Sequence, residues 1–279
     1  MCAQLDVSHG GYYAWRSRPE SKRSQDDAEL WTQIEKVHDE SHGTYGYRRV
    51  REALLQAGIR ASQRRIARLM RQHGRRGKQF RRRVSTTKPS KRLPHVPDLV
   101  KRNFASSAPN RIWVSDITYV RTRQGWLYLS VILDLYSRRV VGWAMLPRLT
   151  TNLVTNALRM AFRYRIPPAG LIFHSDRGTQ YTSDTFQNLL KTYRMRPSLG
   201  RTGSCFDNAA MESFFGSLKS EWLHHQRFAT REEARQSIFY FIEVFYNRKR
   251  LHSAINYLSP AQFEGLEQWQ NNLSYKFVH

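Results

Sequence analysis

The chain has 279 residues, of which 46 are Lys or Arg and 22 are Asp or Glu, so its net charge is +24. A protein this basic binds polyanions, most often nucleic acid, and its 40% hydrophobic content excludes wholesale disorder. Two cysteines, Cys2 and Cys205, exclude a disulfide framework, and the sequence has no run of about 18 apolar residues that would predict a membrane span.

The N-terminal part of the chain predicts a small helical domain. Residues 1–25 predict a helical lead that is interrupted at Gly10-Gly11. Residues 26–85 predict three helices joined by glycine turns: one from Asp27 to Glu40, one ending at Gly58, and one from a Ser62 cap to Gly74. A helix, a tight turn and a basic helix are the outline of a helix-turn-helix DNA-binding domain, although other three-helix bundles share it.

A run of positive charge begins on the third predicted helix. Between Arg64 and Arg83 the chain has ten Lys or Arg residues and no acid. We interpret these arginines as contacts to DNA phosphates, and the alternative is a solvated linker. The candidate residues are Arg64, Arg65, Arg68, Arg71, Arg75 and Arg81. Residues 86–104 are basic and rich in proline, and they predict an extended linker between two domains.

After this linker the sequence predicts alternating strands and helices. The predicted strands are 111–120, 126–135, 139–146, 171–174 and 195–199, and the predicted helices are 151–164, 185–193 and 206–222. This order describes an α/β domain over residues 105–225 with a mixed five-stranded sheet, and it matches a ribonuclease-H-like core. A C-terminal helical extension, 226–279, contains one long predicted helix over 231–246.

Three acids lie where this layout brings chain segments together. Asp116 is in the middle of the first strand, where an unpaired charge is unfavourable. Asp176 ends the fourth strand, and Glu212 is on the first turns of the following helix. Because the first and fourth strands are neighbours in such a sheet, we expect the three carboxylates to converge. Such a set suits two Mg²⁺ ions and phosphodiester chemistry, since Mg²⁺ prefers oxygen ligands.

Each of these residues also has a structural interpretation. Asp176 is placed to form an Asx-turn, and Glu212 is favoured near a helix N-terminus by the dipole. Lys219 returns to the helix face of Glu212 and is either a phosphate contact or a solvated lysine. His174 either supports the metal site or packs within its strand, and we interpret Asp134 as a structural or supporting acid.

Five segments of the chain, in order, resemble the downstream-frame (OrfB) half of two-frame bacterial insertion-sequence transposases. They are WVSDITYV, LDLYSRRVVGW, HSDRGTQYTS, DNAAMESFFGSLKSE and YNRKRLHSAINYLSPAQF, and the resemblance extends from Tyr12 to Phe263. The 35 residues between Asp176 and Glu212 are the spacing typical of this DDE group, to which retroviral-type integrases also belong.

The resemblance implies a polynucleotidyl transferase that cleaves and joins DNA strands with Mg²⁺ or Mn²⁺. The family's acid triad matches Asp116, Asp176 and Glu212, as catalytic residues and metal ligands, and its basic residue matches Lys219. We expect the chain to act on double-stranded DNA, both element ends and target, as a homo-oligomer. No secretory signal is visible, so we expect it in the bacterial cytoplasm, associated with the nucleoid.

Two further expectations come from differences within this group. Retroviral-type integrases carry a zinc domain, but here no cysteine pair follows His38 and His42, so no zinc site is expected. Two-frame transposases usually act as a fusion with an upstream-frame product, and we expect such a partner. The tail motif supplies Asn247, Arg250, His252 and Pro260, for which we expect only packing or DNA contact.

Two alternatives to a transposase stay open from the sequence: a non-catalytic DNA-binding protein and a nuclease for RNA–DNA hybrids.

Overall fold

A computed structural model describes residues 2, 4, 6–78, 96–100, 106–200 and 209–266. It divides the chain into two compact units, residues 1–78 and residues 79–279. Within these described ranges, no helix is both long and apolar enough to cross a membrane.

The N-terminal unit is entirely helical. Its helices are α1 (His9–Ser17), α2 (Lys22–Glu40), α3 (Tyr47–Gln56) and α4 (Gln63–Gln72). Helix α1 runs through Gly10-Gly11, so the expected interruption there is wrong: the Ser8 hydroxyl accepts a hydrogen bond from Gly11 N and caps the first turn. Helix α2 begins before the predicted Asp27 for the same reason, because Ser21 caps it. The predicted Ser62 cap of α4 is confirmed.

Helices α2, α3 and α4 bury one shared apolar cluster. Its fully buried members are Ile34, Val50, Leu54 and Ile66. After α4 the chain returns to the turn before α3, where Lys78 N donates to Gly43 O over 3.1 Å. The three helices therefore form a closed bundle stabilised by apolar burial.

The second unit contains one mixed sheet. Its strands are β1 (Ile112–Thr122), β2 (Gly125–Asp134), β3 (Val140–Leu146), β4 (Ile172–Ser175) and β5 (Arg196–Leu199). The strand order is β3-β2-β1-β4-β5; β1, β2 and β3 are antiparallel neighbours, and β4 and β5 run parallel to β1. The mixed five-stranded sheet expected from the sequence is confirmed.

Helices cover both faces of this sheet. Helices α5 (Thr151–Arg165), α6 (Thr179–Thr182) and α7 (Asp184–Thr192) pack on the face that carries Trp113 and Phe173. The fit against α5 is close, since a Cβ on Gly142 of β3 would lie 2.4 Å from Ala157 O. Alternate strand residues such as Val114 and Val131 point to the other face, which contacts α8 (Ala209–Ser217) and α9 (Arg231–Phe239).

Both of these last helices continue as π-helix, which the sequence pattern does not predict. A π-helical segment over Leu218–Trp222 follows α8, and another over Tyr240–Tyr246 follows α9. The predicted continuous helices 206–222 and 231–246 are thus wrong in helix type. Trp222 of the first segment stacks on Tyr240 and Phe245 of the second, so packing between the two segments fixes the wider helical turns.

Part of the predicted linker packs on the sheet. Leu99 N donates to Ser198 Oγ over 2.9 Å, and Val100 is buried. Residues 97–100 therefore lie along β5, whereas residues 79–95 and 101–105, with Arg81, are outside the described residues.

Candidate active site

Asp116 and Asp176 lie at the point where a short strand ends beside a long one. The pairing of β4 with β1 covers only Ile112 to Val114, and β4 ends at Ser175. Between Ser115 and Arg121, β1 pairs with β2 on one side and its other edge is free of described strands, and Thr122 then forms an isolated bridge to Phe228. Asp116 is the second residue of this free edge, and Asp176 directly follows β4. The two parallel strands thus deliver both carboxyl groups to one edge of the sheet.

Local hydrogen bonds orient both carboxyl groups. Asp116 Oδ1 accepts from Ile117 N over 2.7 Å. Asp176 Oδ1 accepts from Gly178 N over 3.0 Å, which is the Asx-turn considered from the sequence. That turn leaves the second carboxylate oxygen of Asp176 outside the bond, so the structural and the functional interpretations of this residue are compatible.

The charges of the acids act on one another. Burial and the negative charges of Asp176 and Glu212 together raise the pKa of Asp116 to about 7, against the opposing effects of the Ile117 hydrogen bond and of Lys219. Burial also raises the pKa of Asp176. Repulsion between partly buried carboxyl groups is the condition that a bound divalent cation relieves, and hard cations prefer oxygen ligands. These residues therefore fit a Mg²⁺ or Mn²⁺ site.

Glu212 reaches this site from the first turn of α8, and its side chain is exposed. Its charge affects Asp116, but within the described residues no three His, Cys, Asp or Glu side chains lie close enough to hold one metal ion. The predicted helix 206–222 begins in residues 206–208, which lie outside the described residues. The structure thus brings Asp116 and Asp176 together, whereas Glu212 is nearby but does not complete a set of three metal ligands.

Lys219 lies on the π-helical segment after α8 and is half-buried. Its Nζ is 5.6 Å from the centroid of the Tyr119 ring, and its charge lowers the pKa of Asp116. Burial in turn lowers the pKa of Lys219. Lys219 is therefore held beside the acids by an aromatic ring, and it is not the fully solvated lysine that the sequence left open.

Tyr181, on α6, lies behind the two aspartates and was not anticipated from the sequence. Its hydroxyl is 2.8 Å from Ser115 Oγ, which itself donates to Val131 O over 2.9 Å. Burial and the charges of Asp116 and Asp176 raise the pKa of Tyr181, so its hydroxyl stays neutral. The only signal in the sequence is a tyrosine five residues after Asp176, which is also the pattern of an ordinary core residue.

His174 and Asp134 have structural environments. The His174 ring is buried with Nδ1 2.9 Å from Ser198 Oγ and 4.0 Å from Asp98 Oδ1, so it joins β4, β5 and the segment before the sheet. Asp134 is buried and accepts hydrogen bonds from Asn110 N and Tyr136 N. Burial raises the pKa of Asp134 to about 6.

The tail residues hold the π-helical segments in place. Arg250 donates to both carboxylate oxygens of Glu221 over 2.6 Å and to Ser217 Oγ over 2.9 Å. Asn247 pairs its amide with the backbone N and O of Val140 on the edge strand β3. Glu221 lies in the same segment as Lys219, so this buried ion pair fixes the chain that carries the lysine.

The candidate DNA contacts of the N-terminal unit fall into two groups. Arg65 and Arg68 both bond to the Asp27 carboxylate over 2.6 Å, and Arg75 pairs with Glu35 over 3.1 Å. The charges of these three arginines are therefore partly neutralised by carboxylates of the same unit. The remaining described candidates, Arg64 and Arg71, are exposed and have no ion pair to another described residue.

Comparison with known families assigns each of the two units to a family. Residues 24–83 match a family described as an HTH-like domain, and residues 106–205 and 212–266 each match a family described as an integrase core domain. Together with the strand order, these matches confirm the ribonuclease-H-like core preceded by a helix-turn-helix-like domain.

Individual proteins give the same assignment. The chain is 44% identical over 263 residues to the IS600 31 kDa protein of Shigella sonnei, covering 94% of this chain and 97% of that protein. It is 40% identical over 266 residues to transposase InsF for insertion sequence IS3A of Escherichia coli K12, covering 95% and 92% of the two chains.

Solved structures of retroviral proteins are more distant. The HTLV-2 integrase catalytic core domain in complex with magnesium has a TM-score of 0.41 at 20% identity, covering 53% of this chain and 92% of that one. The simian T-cell lymphotropic virus intasome has a TM-score of 0.48 at 18% identity, covering 82% and 73%. From the sequence relatives and the integrase core matches, the chain belongs to the insertion-sequence transposase family that includes InsF of IS3.

Proposed function

We propose that this chain cuts DNA at the ends of an insertion sequence and joins the freed ends to target DNA. Asp116, Asp176 and Glu212 are the proposed catalytic residues and ligands of two Mg²⁺ or Mn²⁺ ions, with no zinc. The observation that carries the proposal is the placement of Asp116 and Asp176 at one edge of the sheet, where burial and then the negative charges of Asp176 and Glu212 raise the pKa of Asp116 to about 7. A site built only for stability would pair such charges with cations instead.

The bound ions would supply an activated oxygen nucleophile and stabilise the leaving oxygen of the phosphodiester. Asp116 and Asp176 would provide the fixed part of the ligand set, because backbone hydrogen bonds already orient them. Glu212, exposed on the first turn of α8, would complete it when DNA and metal are present. Lys219 would hold a phosphate beside the acids, since its ammonium group is already close to Asp116.

The remaining parts of the proposal concern DNA recognition. In the HTH-like unit, Arg64, Arg71 and Arg81 are the proposed phosphate contacts, while Arg65, Arg68 and Arg75 would contribute after exchange of their ion pairs. We propose that the chain acts as a homo-oligomer on DNA in the nucleoid, with an upstream-frame partner. We further propose two domains, at 26–85 and 105–225, which are flanked by the segments 1–25, 86–104 and 226–279.

The test is a nicking and strand-transfer assay with the full chain, a labelled duplex of the element's own end, and Mg²⁺ or Mn²⁺. We expect metal-dependent products from the wild type and none from Asp176→Asn or Glu212→Gln. Glu232→Gln is the matched control, because Glu232 is an exposed acid in the first turn of α9. Products that persist in both site variants would refute the assigned roles.

The same assay separates the alternatives. If the wild type binds DNA in a salt-sensitive manner without products, the assay is repeated with the upstream frame fused to the chain. Activity in the fusion would support the partner, whereas continued inactivity would favour a regulatory DNA-binding protein. Cleavage of RNA–DNA hybrids in preference to duplex DNA ends would favour the nuclease instead.

A further inference from the structure

Two aromatic side chains are exposed on the β1–β2 hairpin, beyond Asp116 along β1. Tyr119, on β1 three residues after Asp116, is 47% exposed, and Trp126, at the start of β2, is 44% exposed. Their ring centroids are 5.0 Å apart and the rings are nearly perpendicular. Large aromatic side chains usually bury most of their area, so exposure of both rings in one place requires an explanation.

This aromatic pair is held rigidly by its surroundings. Thr122 Oγ1 donates to Gly125 O over 2.7 Å and closes the turn between the two strands. Arg123 N donates to Phe228 O, and Arg231 Nε donates to Trp126 O over 3.1 Å. The rings therefore lie on a braced hairpin, and little conformational entropy is lost when a planar ligand stacks on them.

Positive charge surrounds the pair. Lys219 Nζ is 5.6 Å from the Tyr119 ring centroid, and its interaction with Asp116 shows that it lies close to the acids as well. Arg121 and Arg123 on the same hairpin are exposed and form no ion pair with another described residue. Exposed aromatic faces among cationic side chains are typical of surfaces that bind single-stranded nucleic acid, where bases stack and phosphates pair with the cations.

We propose that Tyr119 and Trp126 form a stacking platform for an unpaired base of the DNA end, next to the scissile phosphate. The inference rests on the proposed function, because it assumes that a DNA end occupies the site. Lys219 would contact the phosphate adjoining the stacked base, since its ammonium group lies beside the Tyr119 ring and interacts electrostatically with Asp116. Stacking would keep the terminal base pair open while the phosphodiester lies at the carboxylates.

A purely structural interpretation predicts a different behaviour. Aromatic residues on adjacent strands stabilise a hairpin without any ligand, and the diagonal placement of Tyr119 and Trp126 fits such a pair. In that case their replacement would change stability and leave base stacking at the DNA end unaltered. The two interpretations therefore differ in whether a base at the DNA end stacks on the protein.

The test uses 2-aminopurine, a base whose fluorescence falls when it stacks on an aromatic side chain. It is placed at successive terminal positions of both strands in a duplex of the element's own end. Binding to the full chain is measured in EDTA, so no cleavage is required. We compare the wild type with Tyr119→Phe, Tyr119→Leu and Trp126→Leu. The control is Tyr164→Leu, since Tyr164 is 70% exposed on α5.

We expect binding to quench the probe at one terminal position in the wild type, Tyr119→Phe and Tyr164→Leu, and not in Tyr119→Leu. At that position an abasic nucleotide should weaken wild-type binding on the order of 5- to 150-fold, and should not weaken binding by Tyr119→Leu. Equal effects of the abasic nucleotide on both proteins, or equal quenching in both, would overturn the platform. Trp126→Leu should also lose the quenching, and it supplies the comparison if Tyr119→Leu unfolds.

This outcome is independent of the proposed chemistry. Quenching in EDTA without metal-dependent products, from the chain alone or from its fusion to the upstream frame, would support the platform and refute the enzyme. Products without quenching at any position would do the reverse.

Discussion

Replacement of Asp116 by asparagine should make the metal-free protein more stable. Asparagine has nearly the shape of the carboxyl group, but it carries no charge, so it removes both the cost of burying an ionised carboxylate and the repulsion from Asp176. A rise in the pKa of Asp116 from 3.8 to about 7 corresponds to about 4 kcal/mol of destabilisation when the group is ionised. Because Asp116 is only half-buried and solvent screens part of this effect, we expect a gain of about 1–3 kcal/mol.

The sign of this effect depends on pH. Below the unfolded-state pKa near 3.8, Asp116 is protonated in both folded and unfolded chains, so wild type and Asp116→Asn should have equal stability. Between that value and about 7 the unfolded chain loses its proton first, and the wild type becomes progressively less stable than the variant. Above about 7 the difference should be constant.

The assay is thermal unfolding of both proteins in EDTA across this pH range, repeated with Mg²⁺. For a unit of this size, about 1 kcal/mol shifts the midpoint by about 2–4 °C, so at pH 8 the variant should unfold several degrees higher. Mg²⁺ should stabilise the wild type and leave Asp116→Asn unchanged. Asp184→Asn is the control, since Asp184 is exposed in the first turn of α7 and its replacement should slightly destabilise the helix. Equal midpoints of wild type and Asp116→Asn at pH 8 in EDTA would refute the electrostatic reasoning.

Three further predictions concern the framework and the DNA contacts. Glu221→Gln leaves the buried Arg250 charge without its partner and should lower the free energy of unfolding by about 3–5 kcal/mol in urea denaturation; a loss below about 1 kcal/mol would contradict the ion-pair assignment. Gly142→Ala forces a methyl group against α5 and should destabilise the core by about 1–3 kcal/mol in the same assay, whereas an unchanged midpoint would show that the helix moves freely. Arg64→Ala should reduce the salt dependence of DNA binding by about one phosphate contact, while Arg65→Ala should mainly destabilise the N-terminal unit; identical salt slopes in the two variants would refute this division.

The strands and their order could be predicted from the sequence because each strand has its own pattern of apolar residues within a short segment. Alternating and apolar runs in the segments 111–120 and 126–135 correspond to β1 and β2 within two residues at each end. Convergence of Asp116 and Asp176 then depended only on β4 lying parallel beside β1, which the predicted sheet already required. The acids were therefore accessible to prediction through the topology.

The π-helical segments were not accessible in this way. The wider turns at Leu218–Trp222 and Tyr240–Tyr246 arise from packing of one segment on the other, as in the stacking of Trp222 on Tyr240. Such contacts join residues far apart in the chain, and a periodic pattern within one helix does not contain them. The position of Lys219 beside Tyr119 depends on the first of these segments and was predictable only as a position on the same face as Glu212.

The arginine contacts show why charge in a sequence overestimates the charge available to DNA. Arg65 and Arg68 lie on α4 with a spacing that directs both toward one acid, Asp27, on the preceding α2. That acid is 38 and 41 residues away, so a count of local charge between Arg64 and Arg83 finds no carboxylate to offset them. Ion pairs within a bundle are exchangeable in water, and DNA phosphates compete with Asp27 for the same guanidinium groups. The exposed arginines of α4 should therefore bind phosphate first, with the paired arginines joining only where the gain exceeds the loss of their contact to α2.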